Sequence, residues 1–217
     1  MTKENILRYK HFLWCTIFIL LILWFELLKK TIVPIYIMHT PLDDKIPFIK
    51  EFILPYYAWF PYMALALILL GILSKKNYFK LVLYLSLCMS ISYIIYMLFP
   101  NGQSPRPSVM GQDILSKLVR FLYSIDETNC VCPSIHVANS IAVHMAIINC
   151  KELKDKHYIK WASFIVMLLI SSSTVFVKQH SILDVYAGIL LAFILYVAIY
   201  IIPKFFHLKS TTEKLNA

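Results

Sequence analysis

Charge is what this sequence has least of: only 15% of its 217 residues are Asp, Glu, Lys or Arg, against 59% hydrophobic. A soluble globular domain normally carries about 25% charged residues, so a water-soluble fold is excluded and an integral membrane protein is implied. Also missing is a small-residue cleavage site after the first apolar run, from about Phe12 to Phe25. Glu26, Lys29 and Lys30 follow instead, and then more apolar residues through Met38, so the run reads as a retained helix and not as a secretory signal. The five cysteines make no zinc pattern: Cys15, Cys88 and Cys150 fall in apolar segments as small hydrophobes, while Cys130 and Cys132 are too close in sequence to pair well. Asp113, Asp126 and Glu127 fit no magnesium-ligand spacing and read as solvated loop residues. There is no internal repeat, low-complexity tract or soluble second domain.

What is present is a series of apolar stretches of the roughly 20 residues that cross a bilayer, and a mean hydropathy of +0.69. The expected fold is all-α, a single membrane domain over 1–217 built as a six-helix bundle, with spans at about 11–38, 53–74, 79–99, 133–150, 160–178 and 183–203. In the polar connection before the fourth span, Ile114, Leu115, Leu118, Phe121 and Leu122 recur at helical spacing opposite Lys117 and Arg120, which predicts a small interfacial helix. The net charge of +9 reads as topology and attraction to anionic lipid, not as a nucleic-acid footprint. With both termini cytoplasmic, Lys3, Arg8, Lys10, Lys75, Lys76, Lys80, Lys151, Lys154, Lys156, Lys160, Lys204, Lys209 and Lys214 lie inside, thirteen of the 21 basic residues. That satisfies the positive-inside rule and is expected of a bacterial plasma membrane. Lys29 and Lys30 stay within the first helix region.

Three polar clusters sit at the ends of apolar runs, all on the face opposite those lysines. His180 and Asp184 lie one helical turn apart, so a carboxylate can hold an imidazole in one tautomer and leave its other nitrogen as nucleophile or base. In Cys132-Pro133-Ser134-Ile135-His136, Pro133 suits the first turn of a helix, Ser134 can offer its hydroxyl and N–H to an anion, and His136 can protonate a leaving oxygen. In Asn101-Gly102-Gln103-Ser104-Pro105-Arg106-Pro107, two prolines stiffen a loop around an arginine able to grip phosphate bidentately. Ser173-Thr174 and Lys178 lead into His180, and Lys178 either neutralises phosphate or snorkels to the interface. Taken singly, each cluster is also what an ordinary helix entrance looks like.

In combination, Arg-Pro, then Pro-Ser-x-His, then a serine seven residues before His-x-x-x-Asp resembles the type 2 phosphatidic acid phosphatase superfamily over residues 40–203. That superfamily includes lipid phosphate phosphatases, undecaprenyl-diphosphate phosphatases and inositol phosphorylceramide synthases. The resemblance implies that His180 is a nucleophile forming a phosphohistidine, that Asp184 orients it, and that His136 serves the leaving group. Arg106, Ser134 and Ser173 would bind phosphate oxygens, with no metal and no other cofactor. The partner implied is a phosphorylated lipid. Two cations of the family pattern are absent: Phe99 stands where the first motif has lysine, and Thr174 where the third has arginine. Lys178 is expected to replace one, and Gln103 or Asn101 to supply neutral donors for the other. Ile135 in place of the usual glycine, with Cys132 and the stretch from Ile46 to Trp59, looks more like the inositol phosphorylceramide synthase branch. Three functions therefore stand: lipid-phosphate phosphatase, phospho-alcohol transferase, and a non-catalytic protein that binds a lipid headgroup.

Overall fold

A computed structural model describes residues 9–103, 106–109 and 111–203. Lys3, Arg8, Ser104, Pro105, Lys204, Lys209 and Lys214, which entered the sequence reading, lie outside the described residues. The chain is helical, and among the described residues five helices are long and apolar enough to cross a membrane: Lys10–Thr31, Lys50–Leu73, Lys75–Leu98, His157–Phe176 and Ile182–Ile201.

The first of these begins as a 3-10 turn, Lys10–Thr16, and continues as α1, Ile17–Thr31. The expected span to residue 38 is too long. Pro34 has no N–H to donate and disfavours helix at Val33, so the chain turns extended at Ile32. Tyr36–Met38 (β1) then pairs in parallel with Asn101–Gln103 (β2). A short helix α2, Pro41–Lys45, follows with a Thr40/Asp43 capping box. The second of these is segmented into a 3-10 turn at Lys50–Phe52, α3 (Ile53–Tyr57) and α4 (Trp59–Leu73). One residue, Ser74, separates α4 from α5, Lys75–Leu98. The amphipathic segment forms α6, Ile114–Ile125, capped by Asp113, whose carboxylate accepts from Ser116 N.

Helix α7, Ile135–Ile148, is the hub, packed by α4, α5, α8 (His157–Phe176) and α9 (Ile182–Tyr196). Eleven of its residues are buried. Its 14 residues rise about 21 Å at 1.5 Å per residue, short of the roughly 30 Å hydrocarbon slab. Polar side chains inside the bundle find one another: Tyr62 Oη lies 2.7 Å from Ser163 Oγ, which is 3.1 Å from His144 Nδ1, so His144 bonds across to α8.

The two ends of the bundle carry different chemistry. At one, Asn77 donates to Glu152 at 3.3 Å, placing the first turn of α5, with Lys75 and Lys76, beside the loop of Lys151 and Lys154. At the other, Asn101 Oδ1 accepts from Cys132 N at 2.7 Å and Asp43 Oδ2 from Ser181 Oγ at 2.7 Å. All three motif segments therefore meet at one end, as the charge pattern predicts.

Candidate active site

The close approach of α7 and α9 creates the site. A Cβ at Gly188 would stand 2.8 Å from Ser134 O and 3.2 Å from Val137 Cβ, so only glycine lets these helices touch at this level. Ser134 N then donates to Asp184 O at 3.0 Å, locking the two helix starts together. The consequence is that the His136 and His180 rings come to 5.7 Å between centroids, edge to face. Both residues are buried.

His180 Nδ1 lies 3.2 Å from Asp184 Oδ2, the geometry expected of an orienting carboxylate. The same oxygen accepts from Ser181 N at 2.9 Å, so Asp184 caps α9 while it holds the imidazole. His136 is clamped between Tyr56 and Trp59, at 4.6 and 4.4 Å between ring centroids. Its Nδ1 has no protein partner among the described residues. Between the histidines is a cavity of about 30 Å³ lined by Phe25, Asp126, Glu127, Asn129, Gln179 and other residues. That is room for a water or two, a water needing about 10–15 Å³ by this measure.

Arg106 reaches this cavity's wall but arrives occupied. Its guanidinium donates to Asp126 O at 2.6 Å, to Glu127 O at 2.9 Å and to Gln179 Oε1 at 2.6 Å, and lies over the Tyr123 ring at 4.8 Å. Asp126, read from sequence as a solvated loop residue, lines the cavity and accepts from Tyr56 Oη at 3.4 Å. Burial pushes its carboxyl above the ordinary range, and the charges of Lys29, Arg106 and His180 pull it partly back. Neither Asp126 nor Gln179 carries a sequence signal; only folding brings them to the histidines.

Other expected residues are spent on the scaffold. Pro133 lies outside α7, whose cap is Ser134; Ser134 Oγ accepts from Val137 N at 3.5 Å, and the residue is fully buried. Lys178, in a left-handed turn with φ 54°, gives its ammonium to the carbonyls of Asp43, at 2.8 Å, and Ile46. Ser173 Oγ donates to Ile170 O at 2.6 Å within its own helix. Asn101 braces the loop around Cys132 through Oδ1 and Nδ2, leaving it no donor for a phosphate. Gln103 N pairs with Thr128 O at 2.7 Å, and its buried Oε1 has no protein partner among the described residues. Cys130 and Cys132 are free thiols, each pushed up to about 12 mainly by burial. Among the described residues no cluster of His, Cys, Asp and Glu is arranged to hold a metal ion.

Sequence reasoning passed over Asp43. Its Oδ2 accepts from Ser181 Oγ and Thr40 N, both at 2.7 Å, and its Oδ1 accepts from Ile182 N at 2.8 Å. One carboxylate thus fastens α2 to the turn that carries His180. Comparison with protein-family models, curated proteins and solved structures finds no match to this chain, so the family resemblance rests on its motif residues.

Proposed function

We propose that the chain is a membrane-embedded lipid-phosphate or lipid-diphosphate phosphatase that works through a phosphohistidine on His180. The observation that carries this reading is the meeting of two buried imidazoles from distant segments, one backed by a carboxylate at 3.2 Å, beside an arginine. In phosphoryl transfer the protein's task is to position reactants and neutralise spreading charge. His180 Nε2 attacks phosphorus in line, and the bond from phosphorus to the lipid oxygen breaks. The departing oxygen takes a proton from His136. Water, deprotonated by His136, then attacks phosphorus and the P–N bond breaks, which returns both histidines to their starting states. Asp184 holds the Nδ1 proton throughout. Phosphate oxygens replace Gln179 Oε1 and the loop carbonyls on the Arg106 fork, which widens the cavity. An alcohol in place of water makes the same chemistry a transferase.

In this reading Ile135–Ile148 is the fourth of six crossings, Ile114–Ile125 lies at the interface, the termini are cytoplasmic, and the site faces the opposite side of a bacterial plasma membrane. The test is phosphate release from phosphatidic acid and undecaprenyl diphosphate by purified protein in detergent, with and without inositol lipid or diacylglycerol as acceptor. Wild type is expected to release or transfer phosphate, and lipid labelled at phosphorus to leave an acid-labile adduct on His180. His180→Ala should lose at least a thousandfold in turnover while remaining folded. Retention of most activity in that variant rules out the nucleophile assignment.

A further inference from the structure

Two cations expected around the phosphate are missing at Phe99 and Thr174, and the substitute expected from sequence, Lys178, is bound to carbonyls of the 43–46 segment. A phosphoryl group carrying two charges would then meet only Arg106. The first helix holds another basic residue whose setting is unusual. Lys30 is exposed, as a lysine at a membrane helix end should be, whereas the neighbouring Lys29 side chain is only 10% exposed. Lys29 lies on the packed face of α1, in register with Leu21, Phe25, Leu28 and Ile32, all of which join the core around Tyr93, Cys130 and Ile135. An ionisable residue drawn to the bundle side of a membrane helix is costly and marks function by default. A lysine there only to snorkel would turn outward instead.

We propose that Lys29 is a phosphate-binding cation of the site, delivered by the first helix to the edge of the cavity between His136 and His180. Its ammonium sits 5.2 Å from the centre of the Phe25 ring, and Phe25 is a wall of that cavity. Asn129, another wall, donates to Lys29 O at 2.7 Å and to Ile32 O at 2.8 Å, so the end of α1 is pinned to the loop that carries Asp126. The cavity-lining Asp126 carboxyl feels the Lys29 charge more strongly than that of Arg106 or His180. Without substrate, Lys29 is balanced by Glu26 at 2.8 Å, a carboxylate that is 48% exposed and so free to yield to a more highly charged partner. Ammonium to phosphate is a charge-assisted contact of the stronger kind.

The inference rests on the proposed function, and inorganic phosphate serves as a probe that separates the two. With phosphatidic acid as substrate, Lys29→Gln should raise KM about tenfold or more and weaken inhibition by inorganic phosphate as much, the loss of one charged contact. Lys29→Arg should restore both to within about threefold, the charge being kept. Glu26→Gln, which removes the competing carboxylate, should strengthen phosphate inhibition, and it decides the matter if Lys29→Gln fails to fold. An unchanged KM and unchanged phosphate inhibition in folded Lys29→Gln, or unchanged inhibition in Glu26→Gln, overturns the role of Lys29. Should wild type hydrolyse no phospholipid, the phosphatase reading fails and thermal stabilisation by inorganic phosphate takes over. Stabilisation lost in Lys29→Gln then upholds the inference; stabilisation equal in both proteins, or absent from both, overturns it.

Discussion

Arg106 ties the carbonyls of Tyr123, Asp126 and Glu127 and the side chain of Gln179 into a single knot, and its planar fork is what fits them all. Lysine would keep the charge but offer a single point of attachment, so Arg106→Lys should lose about 2 kcal/mol of stability. Turnover should fall about tenfold or more, read by thermal denaturation and phosphate release on the same preparation. A variant indistinguishable from wild type would place Arg106 outside the working site. Asp126 gives a second handle at this scale. Its carboxyl is held above the ordinary value of about 3.9 by burial, so its contribution to stability is complete below that pH and lost as pH rises through the folded value. Asp126→Asn should therefore melt higher than wild type at neutral pH, and the gap should close as the pH falls to about 4. A gap that is constant with pH would mean the carboxyl is not penalised. The pair of His180 and Asp184 is legible in sequence because four residues along a helix is one turn, a local relation. Asp126, Gln179 and Lys29 are not legible, since nothing local distinguishes a loop aspartate facing a cavity from one facing water. Ser134, Asn101 and Lys178 mislead for the same reason: a polar side chain at a helix entrance satisfies backbone groups as readily as it binds a ligand.

Between elements, the site depends on how near α7 and α9 come and on what fixes the turn before α9. Gly188→Ala would force a methyl group into Ser134 O at 2.8 Å and Val137 Cβ at 3.2 Å. Overpacking of this kind costs about 1–3 kcal/mol, and here it would also pull the His180 backbone away from His136. Turnover should fall further than the melting temperature alone explains, and equal turnover in the two proteins would show that the ring spacing is not critical. Asp43→Asn tests the other fastening. The Asp43 carboxyl is pushed up by burial, but hydrogen bonds from Ile182 N, Ser181 Oγ and Thr40 outweigh that and hold it below the ordinary range. Its stabilisation is thus present at neutral pH and lost as pH falls through the folded value. Asparagine turns an acceptor into a donor that faces other donors, so Asp43→Asn should lower the melting temperature at pH 7 more than at about pH 2, below the folded value of the carboxyl. Apolar periodicity revealed these helices, while their ends needed atoms: Pro34 stops α1 early, and Ser134 starts α7 one residue after the proline expected to lie inside it.

For the whole molecule, the separation of a lysine-rich end from a motif-bearing end is the feature from which orientation follows. The first turn of α5 and the loop of Lys151 are joined by Asn77 and Glu152, and the turn of His180 is joined to the 40–45 segment by Asp43. These contacts set which loops share an end without reference to any membrane, and in the proposed reading the positive-inside rule puts the lysine end in the cytoplasm. The hub helix adds a constraint. In the proposed reading α7 is about 9 Å shorter than a bilayer's hydrocarbon thickness, and a shortfall at its N-terminus, which carries His136, would leave the histidines recessed from the aqueous boundary. The lipid headgroup of the proposed function would then need to sink only slightly to reach them, its chains staying in the slab. A cysteine-free protein with Ser124→Cys, exposed at the motif end, should react in intact cells with a membrane-impermeant maleimide. Asp155→Cys, exposed at the lysine end, should react only after the membrane is opened. The reverse pattern would put the site in the cytoplasm, and labelling of both in intact cells would mean that the bundle does not keep one orientation.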